Sequence, residues 1–421
     1  MSRFDYQLKK IILLFFPISL ILGSAFVNLV LIISSIYLIK LLYEKNINIF
    51  QYNWINIFYL FFIYIVIISF FSIDFINSFR NSISQFRFIF FSLLLMSIDF
   101  DKIGKLFINV ISFLILMLCI DVNFQFITGY DIFGYPAEGY GNQNYPMFSH
   151  WTNPNIFLGR LSGPFGTELI PGAFIASLSP PLIFYTIKKI QLSNYKKKIL
   201  KIFFIILIFE TVFITGERLS LILVFSSIIV ALFFLISFKK FLALILLAIF
   251  FLFSVFNYTG NSFLKKRWVE TFNISKNISE SSYGRIYSSS YKIWQNNFLT
   301  GVGLKNYRVQ CPKLIDPDPD SKHPFCSPTH SHNFYLEILS ETGLIGFLLL
   351  MIFYILMIIH FGKLFYKSSK SIYLSFALGS FYYLVFKLIP LPSGSFFSTW
   401  NASFFWFHLG LCLSFFNKKQ N

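Results

Sequence analysis

Apolar runs near twenty residues long, separated by loops of which every second one is rich in lysine, constrain this chain more than any other feature. A run of that length crosses roughly 30 Å of hydrocarbon as an α-helix. No stretch shows the apolar/polar alternation of an outer-membrane barrel strand, and in lipid every backbone amide needs a partner inside its own segment, so helices remain. Composition agrees. Hydrophobic residues make up 56% of the 421 and charged residues 13%, where a soluble domain carries nearer a quarter charged. The expected fold class is an all-α polytopic membrane protein with about twelve transmembrane helices. They are placed near 10–23, 25–43, 54–73, 83–98, 106–127, 167–187, 199–215, 219–237, 240–257, 336–359, 371–389 and 396–416.

Lysine placement orients these spans. With the N-terminus inside, the cytoplasmic turns hold Lys40 and Lys45, Lys102 and Lys105, the cluster from Lys188 to Lys201, Lys239 and Lys240, and Lys363, Lys367 and Lys370; Lys418 and Lys419 close the chain. Both termini are therefore expected in the cytoplasm. The net charge of +17 follows from this pattern, and no nucleic-acid partner is inferred from it. The opening MSRFDYQLKK before an apolar stretch could pass for a signal peptide. It is read as a retained first helix, because the stretch runs on to Leu42 without a clear cleavage site.

The organisation that results is helices one to five in 1–127, a first outer loop in 128–166, helices six to nine in 167–257, a large outer loop with short helices in 258–335, and helices ten to twelve in 336–421. Loops this long in a compact protein are more often functional than idle. Cys311 and Cys326 both fall in the large loop, where an oxidising compartment permits a disulfide; the alternative is two free thiols. The nearby histidines lack zinc-ligand spacing, so no metal site is expected. Asp316, Asp318 and Asp320 alternate with prolines and are read as loop rather than a calcium site.

Chemistry concentrates in three places. The first is His330-Ser331-His332-Asn333, followed by FYLEILSETGLIGFLLL. Asn333 is a good N-cap for a helix running into the tenth span, and Glu337 and Glu341 suit the positive end of its dipole. His332 and Gly343 would share a face if the helix starts early enough, and Gly343 and Gly346 let another backbone approach closely. Taken alone, His332 could equally be an interfacial or capping histidine. The second place is 282–298, an amphipathic helix whose Tyr287, Tyr291, Trp294 and Phe298 lie within about 60° on one side, with Arg285 and Lys292 opposite. Such a helix could lie on the membrane surface with its basic face toward water, or simply pack in the loop. The third is the turn Thr215-Gly216-Glu217-Arg218-Leu219-Ser220, where Arg218 needs an anion or an ion pair with Glu217 or Glu210.

The pattern His332-Asn333, nine residues, then Gly343-x-x-Gly346 resembles the signature of the O-antigen ligase and polymerase family. Residues 281–308 resemble that family's loop, with an Arg (Arg285), a Trp (Trp294), a Gly-x-Gly turn (Gly301 and Gly303) and then an aromatic. The resemblance implies a bacterial inner-membrane enzyme related to class C glycosyltransferases, its active site periplasmic. It would move glycan from undecaprenyl diphosphate to a lipid A-core or glycan acceptor, without metal, nucleotide or other cofactor. His332, Arg218 and Arg285 become the expected catalytic residues. Arg80, Arg87, Arg160, Lys292, His330 and Asn333 become expected substrate contacts, and Gly343, Gly346, Cys311 and Cys326 structural residues. An imidazole has the right intrinsic pKa to take the acceptor proton, and guanidinium groups match phosphate oxygens in bidentate fashion. Ligase is favoured over polymerase, with a protein-glycosylating branch also open. From a different class, a lipid-linked oligosaccharide flippase or transporter is the alternative, although transporters usually place substrate groups near the bilayer midplane.

Overall fold

The computed structural model describes residues 3–44, 52–140, 145–153, 158–235, 278, 281–314, 326, 329–368 and 371–417. The named elements among them are helical: α1 (Arg3–Leu22), α2 (Ser24–Tyr43), α3 (Asn53–Ser69), α4 (Phe75–Ser84), α5 (Phe86–Met96), α6 (Phe100–Thr128), the single turn α7 (Ser149–Thr152), α8 (Pro171–Gln191), α9 (Tyr195–Ile214), α10 (Arg218–Leu235), α11 (Ser282–Asn296), α12 (Tyr307–Leu314), α13 (Phe334–Lys367), α14 (Ile372–Phe386) and α15 (Thr399–Asn417), plus one 3-10 turn at Gly163–Phe165. Among the described residues α2, α6, α10 and α13 are long and apolar enough to cross a membrane. Leu348, Ile352, Ile355 and Ile359 form one exposed stripe on α13; their spacing of three and four residues is that of a single helix face turned to lipid.

Most expected spans coincide with a helix, with two differences. The expected 83–98 span is the helix α5, and a separate helix that the sequence reading did not place, α4, precedes it, capped by Asp74 through Asn77 N (3.0 Å); α4 is short and polar, FINSFRNSIS. Ten residues rise only about 15 Å as a helix, half a bilayer core. The tenth expected span starts at Phe334 and is broken at Gly343, as described below. The expected 240–257 span and the Asp316–Asp320 stretch lie outside the described residues.

The chain forms two compact units. In the first, α13 packs on α3, and α5 packs on both α2 and α15. Phe58 of α3 ties three helices together, its ring 4.6 Å from Phe353 of α13 and 4.5 Å from Trp406 of α15. Aromatic pairs at this range add about 1 kcal/mol beyond area burial. In the second unit α8 is the hub, touching α14, α10, α9 and α6. Gly379 of α14 sits directly on the backbone of Pro180 and Pro181 in α8, where a Cβ would lie 2.5 Å from Pro181 Cα. Small residues at helix contacts allow this approach and the dispersion gain that follows from it.

Candidate active site

The first unit holds the histidine motif, and the geometry begins with the break in α13. Gly343 has φ 66° and ψ −172°, which ends one helical segment and starts another. The backbone groups released at the break are taken up by residues 298–303, the turn that follows α11. Leu344 N and Ile345 N donate to the carbonyls of Phe298 (2.9 Å) and Leu299 (3.2 Å), while Val302 N and Gly303 N donate to the carbonyls of Ser340 (3.0 Å) and Glu341 (2.8 Å). Both half-helix ends are thereby satisfied by one inserted turn, as burial requires. The fit is backbone on backbone. A Cβ on Gly301 would lie 2.5 Å from Glu341 C and 2.6 Å from Gly343 N, and one on Gly343 would overlap Leu299. Tyr64 of α3 closes the joint, its hydroxyl donating to Thr342 O at 2.8 Å.

Nearly three turns upstream, Asn333 caps α13, its side chain accepting from Tyr335 N (3.0 Å) and Leu336 N (3.2 Å). His332 therefore precedes the helix, with φ 48°, and does not share a helix face with Gly343. A non-glycine residue in the left-handed region is held there at a cost of about 1 kcal/mol or more by its surroundings. The surroundings are identifiable: His332 O accepts from Ser393 N at 2.8 Å, so the 393–396 segment before α15 pins the turn. That segment is in turn held by Glu337, which accepts from Ser395 Oγ and from Phe396 N (2.7 Å). Lys305 Nζ lies 3.9 Å from Glu337 Oε1 and also donates to Ser395 Oγ. Lys305 is itself left-handed at φ 63°.

Electrostatics at the turn favour a neutral imidazole. His332 is pushed down to about 4, first by burial and then by the neighbouring His330, against the opposing pull of Glu337. His330 is pushed to about 4 by burial and by the charges of Lys305 and Arg308. The two rings lie 4.2 Å apart, and Tyr283 sets its ring edge-on to His332 at 6.2 Å. A neutral His accepts a proton; the low value makes it a weak base until an anion arrives nearby.

Helix α11 presents three faces. Ile286, Ser289, Ser290 and Ile293 are buried where the helix packs on α12 and α13. Tyr291, Trp294 and Phe298 form a ladder with ring separations of 5.5 and 5.0 Å. Arg285 is half-buried and Lys292 exposed on the remaining side. Tyr287, one turn from Tyr283, hydrogen-bonds Asn333, which brings the Arg285 turn of α11 to the histidine motif. Lys292 lies seven residues further along, about 10 Å of helix rise away. Cys311 of α12 is disulfide-bonded to Cys326, and Cys311 joins Ile293, Val302 and Tyr307 in a small core beneath the loop. Arg80 is exposed on α4. Arg87 opens α5 with its guanidinium 4.6 Å above the Phe88 ring and 3.5 Å from Thr399 Oγ1.

The second unit holds Arg160 and Arg218. The side chain of Glu217, next to Arg218, accepts from Gly172 N (2.9 Å) and Ser220 Oγ (3.0 Å), capping the start of α8. Its electrostatic partner is Arg160, and burial outweighs that attraction, raising Glu217 to about 7. Arg160 also donates through Nη2 to Leu169 O at 2.8 Å. Gly172 is required here, since a Cβ would overlap Thr215 Oγ1.

Residues 203–351 match the family model for O-antigen ligase. Over those residues the chain is similar to the O-antigen ligase domain. The match covers roughly a third of the 421 residues and contains Arg218, Arg285, His332, Gly343 and Gly346. No curated protein sequence matches the chain. The domain's members are glycosyltransferase-like enzymes of the ligase and polymerase type. Among the described residues no three His, Cys, Asp or Glu side chains group as metal ligands.

Three features of the matched region and its surroundings leave little trace in the sequence. Glu337, expected as a dipole partner, is a buried clamp on Ser395 and Phe396. Glu341, expected at a positive helix end, lies instead just before the break at Gly343, beside the carbonyl end of a half-helix, fully buried and facing the Lys305 backbone amide. Lys305 and the Pro392–Phe396 segment carried no expectation at all. The only cue was glycine and proline punctuation, Gly303-Leu304-Lys305-Asn306 and Leu391-Pro392-Ser393-Gly394.

Proposed function

We propose that this chain is an O-antigen ligase that moves a finished glycan from undecaprenyl diphosphate to the lipid A-core acceptor at the periplasmic face of the bacterial inner membrane. The observation that carries the reading is His332, held neutral at the head of a broken helix inside the matched domain. In this mechanism the acceptor hydroxyl attacks the anomeric carbon in one step with inversion. The bond from that carbon to the diphosphate oxygen breaks, and the diphosphate leaves with the electron pair. The hydroxyl proton passes to His332. Arg285 and Arg218 are assigned to the phosphate oxygens, where bidentate guanidinium contacts stabilise charge as it develops. A bound diphosphate would also raise the basicity of His332 from its value in the empty site. His330 and Asn333 are assigned to substrate orientation, and Arg80, Arg87, Arg160 and Lys292 to peripheral contacts with the glycan or its lipid carrier.

The test is lipopolysaccharide electrophoresis after gene deletion, complemented with the wild-type chain or with variants. A ligase leaves core free of all polymer when deleted. A single repeat on core would instead make the chain a polymerase. Full complementation by His332→Ala, Arg218→Ala and Arg285→Ala chains at normal expression would remove these residues from the mechanism. Transfer from lipid diphosphate by purified protein in detergent, with no membrane to cross, separates an enzyme from a flippase.

A further inference from the structure

The second unit carries a cavity of about 460 Å³ at the end of α8 and the start of α9, on the face that the lysine pattern assigns to the cytoplasm. Lys189, Lys197 and Lys201 line it together with Ser193 and Asn194. The placement follows from local structure. Asn194 caps α9 by accepting from Lys197 N, so Lys197 and Lys201, four residues apart, project from one helix face. Lys189, in the last turn of α8, is anchored with its ammonium 4.7 Å from the Tyr185 ring centroid. Lys201 donates to Ser193 Oγ, and both Lys189 and Lys197 repel it. None of the three has a carboxylate partner among the described residues. Three uncompensated like charges around one cavity, at the amide end of a twenty-residue helix, are a standing repulsion that a phosphate anion would relieve.

We propose that this cavity binds the phosphodiester headgroup of an anionic phospholipid. The flanking surface favours a lipid over a free phosphate: Leu200, next to Lys201, and Phe203, two residues past it, are 70% and 59% exposed, as is fitting for side chains that meet acyl chains. Basic pockets between membrane helices on the cytoplasmic side hold anionic headgroups. The inference is independent of the glycan-transfer reading.

The full-length protein in zwitterionic detergent is titrated with dioleoylphosphatidylglycerol, dioleoylphosphatidylcholine or inorganic phosphate, and bound species are counted by native mass spectrometry. Phosphatidylglycerol is expected to bind at one saturable site, with phosphatidylcholine much weaker. The variant K189Q/K197Q/K201Q should weaken phosphatidylglycerol binding about a hundredfold. K188Q/K196Q/K198Q removes the same charge from the same loop outside the cavity and should leave it within about threefold. Equal losses in both variants mean diffuse loop charge and overturn the proposal. So does equal binding of phosphatidylcholine, and displacement of the lipid by inorganic phosphate at matching concentration makes the site one for free phosphate. Should the cavity triple fail to insert, Lys201→Gln alone is read, with a loss of about fivefold expected and an unchanged affinity contradicting the assignment.

Discussion

Glu337→Gln separates a positioning role from a bystander role at the histidine turn. The carboxylate is 1% exposed and Lys305 nearby is 12% exposed at the side chain. Gln keeps the shape and one acceptor for Phe396 N but removes the charge that faces Lys305 at 3.9 Å. Stranding one member of a buried pair costs about 3 kcal/mol, and in a chain of this size that lowers the thermal midpoint in detergent by roughly 5 °C. Adding Lys305→Met removes the stranded cation, so the double variant should regain part of that loss; two independent, additive losses would mean that the pair is not coupled.

The same substitution carries a catalytic signature that a purely structural role lacks. Glu337 raises the basicity of His332, against burial and against His330. Without its charge the acid limb of the transfer rate against pH should move to lower pH, while the rate on the plateau falls because a weaker base takes the proton. Loosening the 393–396 segment adds a positional error at His332, and an error of about 1 Å costs roughly a hundredfold. Initial rates of glycan transfer to purified acceptor across pH 4 to 8, on protein of verified fold, supply the reading. A Glu337→Gln chain with wild-type stability and an unmoved pH profile would refute the clamp.

Further expectations concern the fold around that turn. Gly343→Ala should destabilise by about 3 kcal/mol or more, since the residue is at φ 66° and the new methyl meets Leu299 backbone; a thermal midpoint within 1 °C of wild type would contradict the inserted-turn account. Reducing the Cys311–Cys326 bond, which closes a separation of 15 residues, should cost up to about 3 kcal/mol in the chain-entropy model, seen as a lower midpoint with dithiothreitol that a Cys311→Ser/Cys326→Ser chain no longer shows. His330 and His332 are both depressed from 6.5 to about 4, so the unfolded chain binds protons first and stability falls as pH drops from about 6.5 to 4. A His330→Gln/His332→Gln chain should show a shallower slope in that window, and an unchanged slope assigns the acid sensitivity elsewhere. Glu217 has the opposite sign: raised from 4.5 to about 7, it contributes stability below pH 4.5 that is lost as pH climbs through 7, and Glu217→Gln should flatten stability between those values.

How much of this could be read from residues alone depended on what kind of signal each feature leaves. Long apolar runs announce helices because lipid allows little else, and α2, α6, α10 and α13 answer that rule directly. The capping role of Asn333 was legible for the same reason: one side chain, one local geometry. The disposition of Glu337 and Lys305 was not, because 31 residues separate them and their contact depends on where α13 starts, where it breaks and how 298–303 folds back. No periodicity encodes that. Arg218 and Arg160 illustrate a third case. The sequence marks Arg218 as a cation in want of an anion or an ion pair with Glu217 or Glu210, and Arg160 only as an expected substrate contact; the Glu217 carboxylate faces Arg160, and its role as a cap on α8 depends on Gly172 standing opposite it.

The glycine signature itself takes on a physical meaning from these contacts. A membrane helix broken at Gly343 would leave carbonyls and amides bare in an apolar setting, each unsatisfied group costing several kilocalories. Residues 298–303 remove that cost only because Gly301 and Gly343 lack side chains at the point where two backbones meet. The break in turn shortens the first segment of α13 to the turns between Asn333 and Thr342, which holds Glu337 one turn from the cap and within reach of Ser395 and Phe396. The spacing from His332 to Gly343 thus measures the length of a rigid lever, with an anchored loop at one end and the left-handed backbone of His332 at the other. An insertion of one residue between Asn333 and Glu337 would rotate Glu337 by about 100° relative to the cap and away from its clamp while leaving every signature residue present. That chain should insert, form its disulfide and lose transfer; retained transfer would mean that the residues matter and their spacing does not.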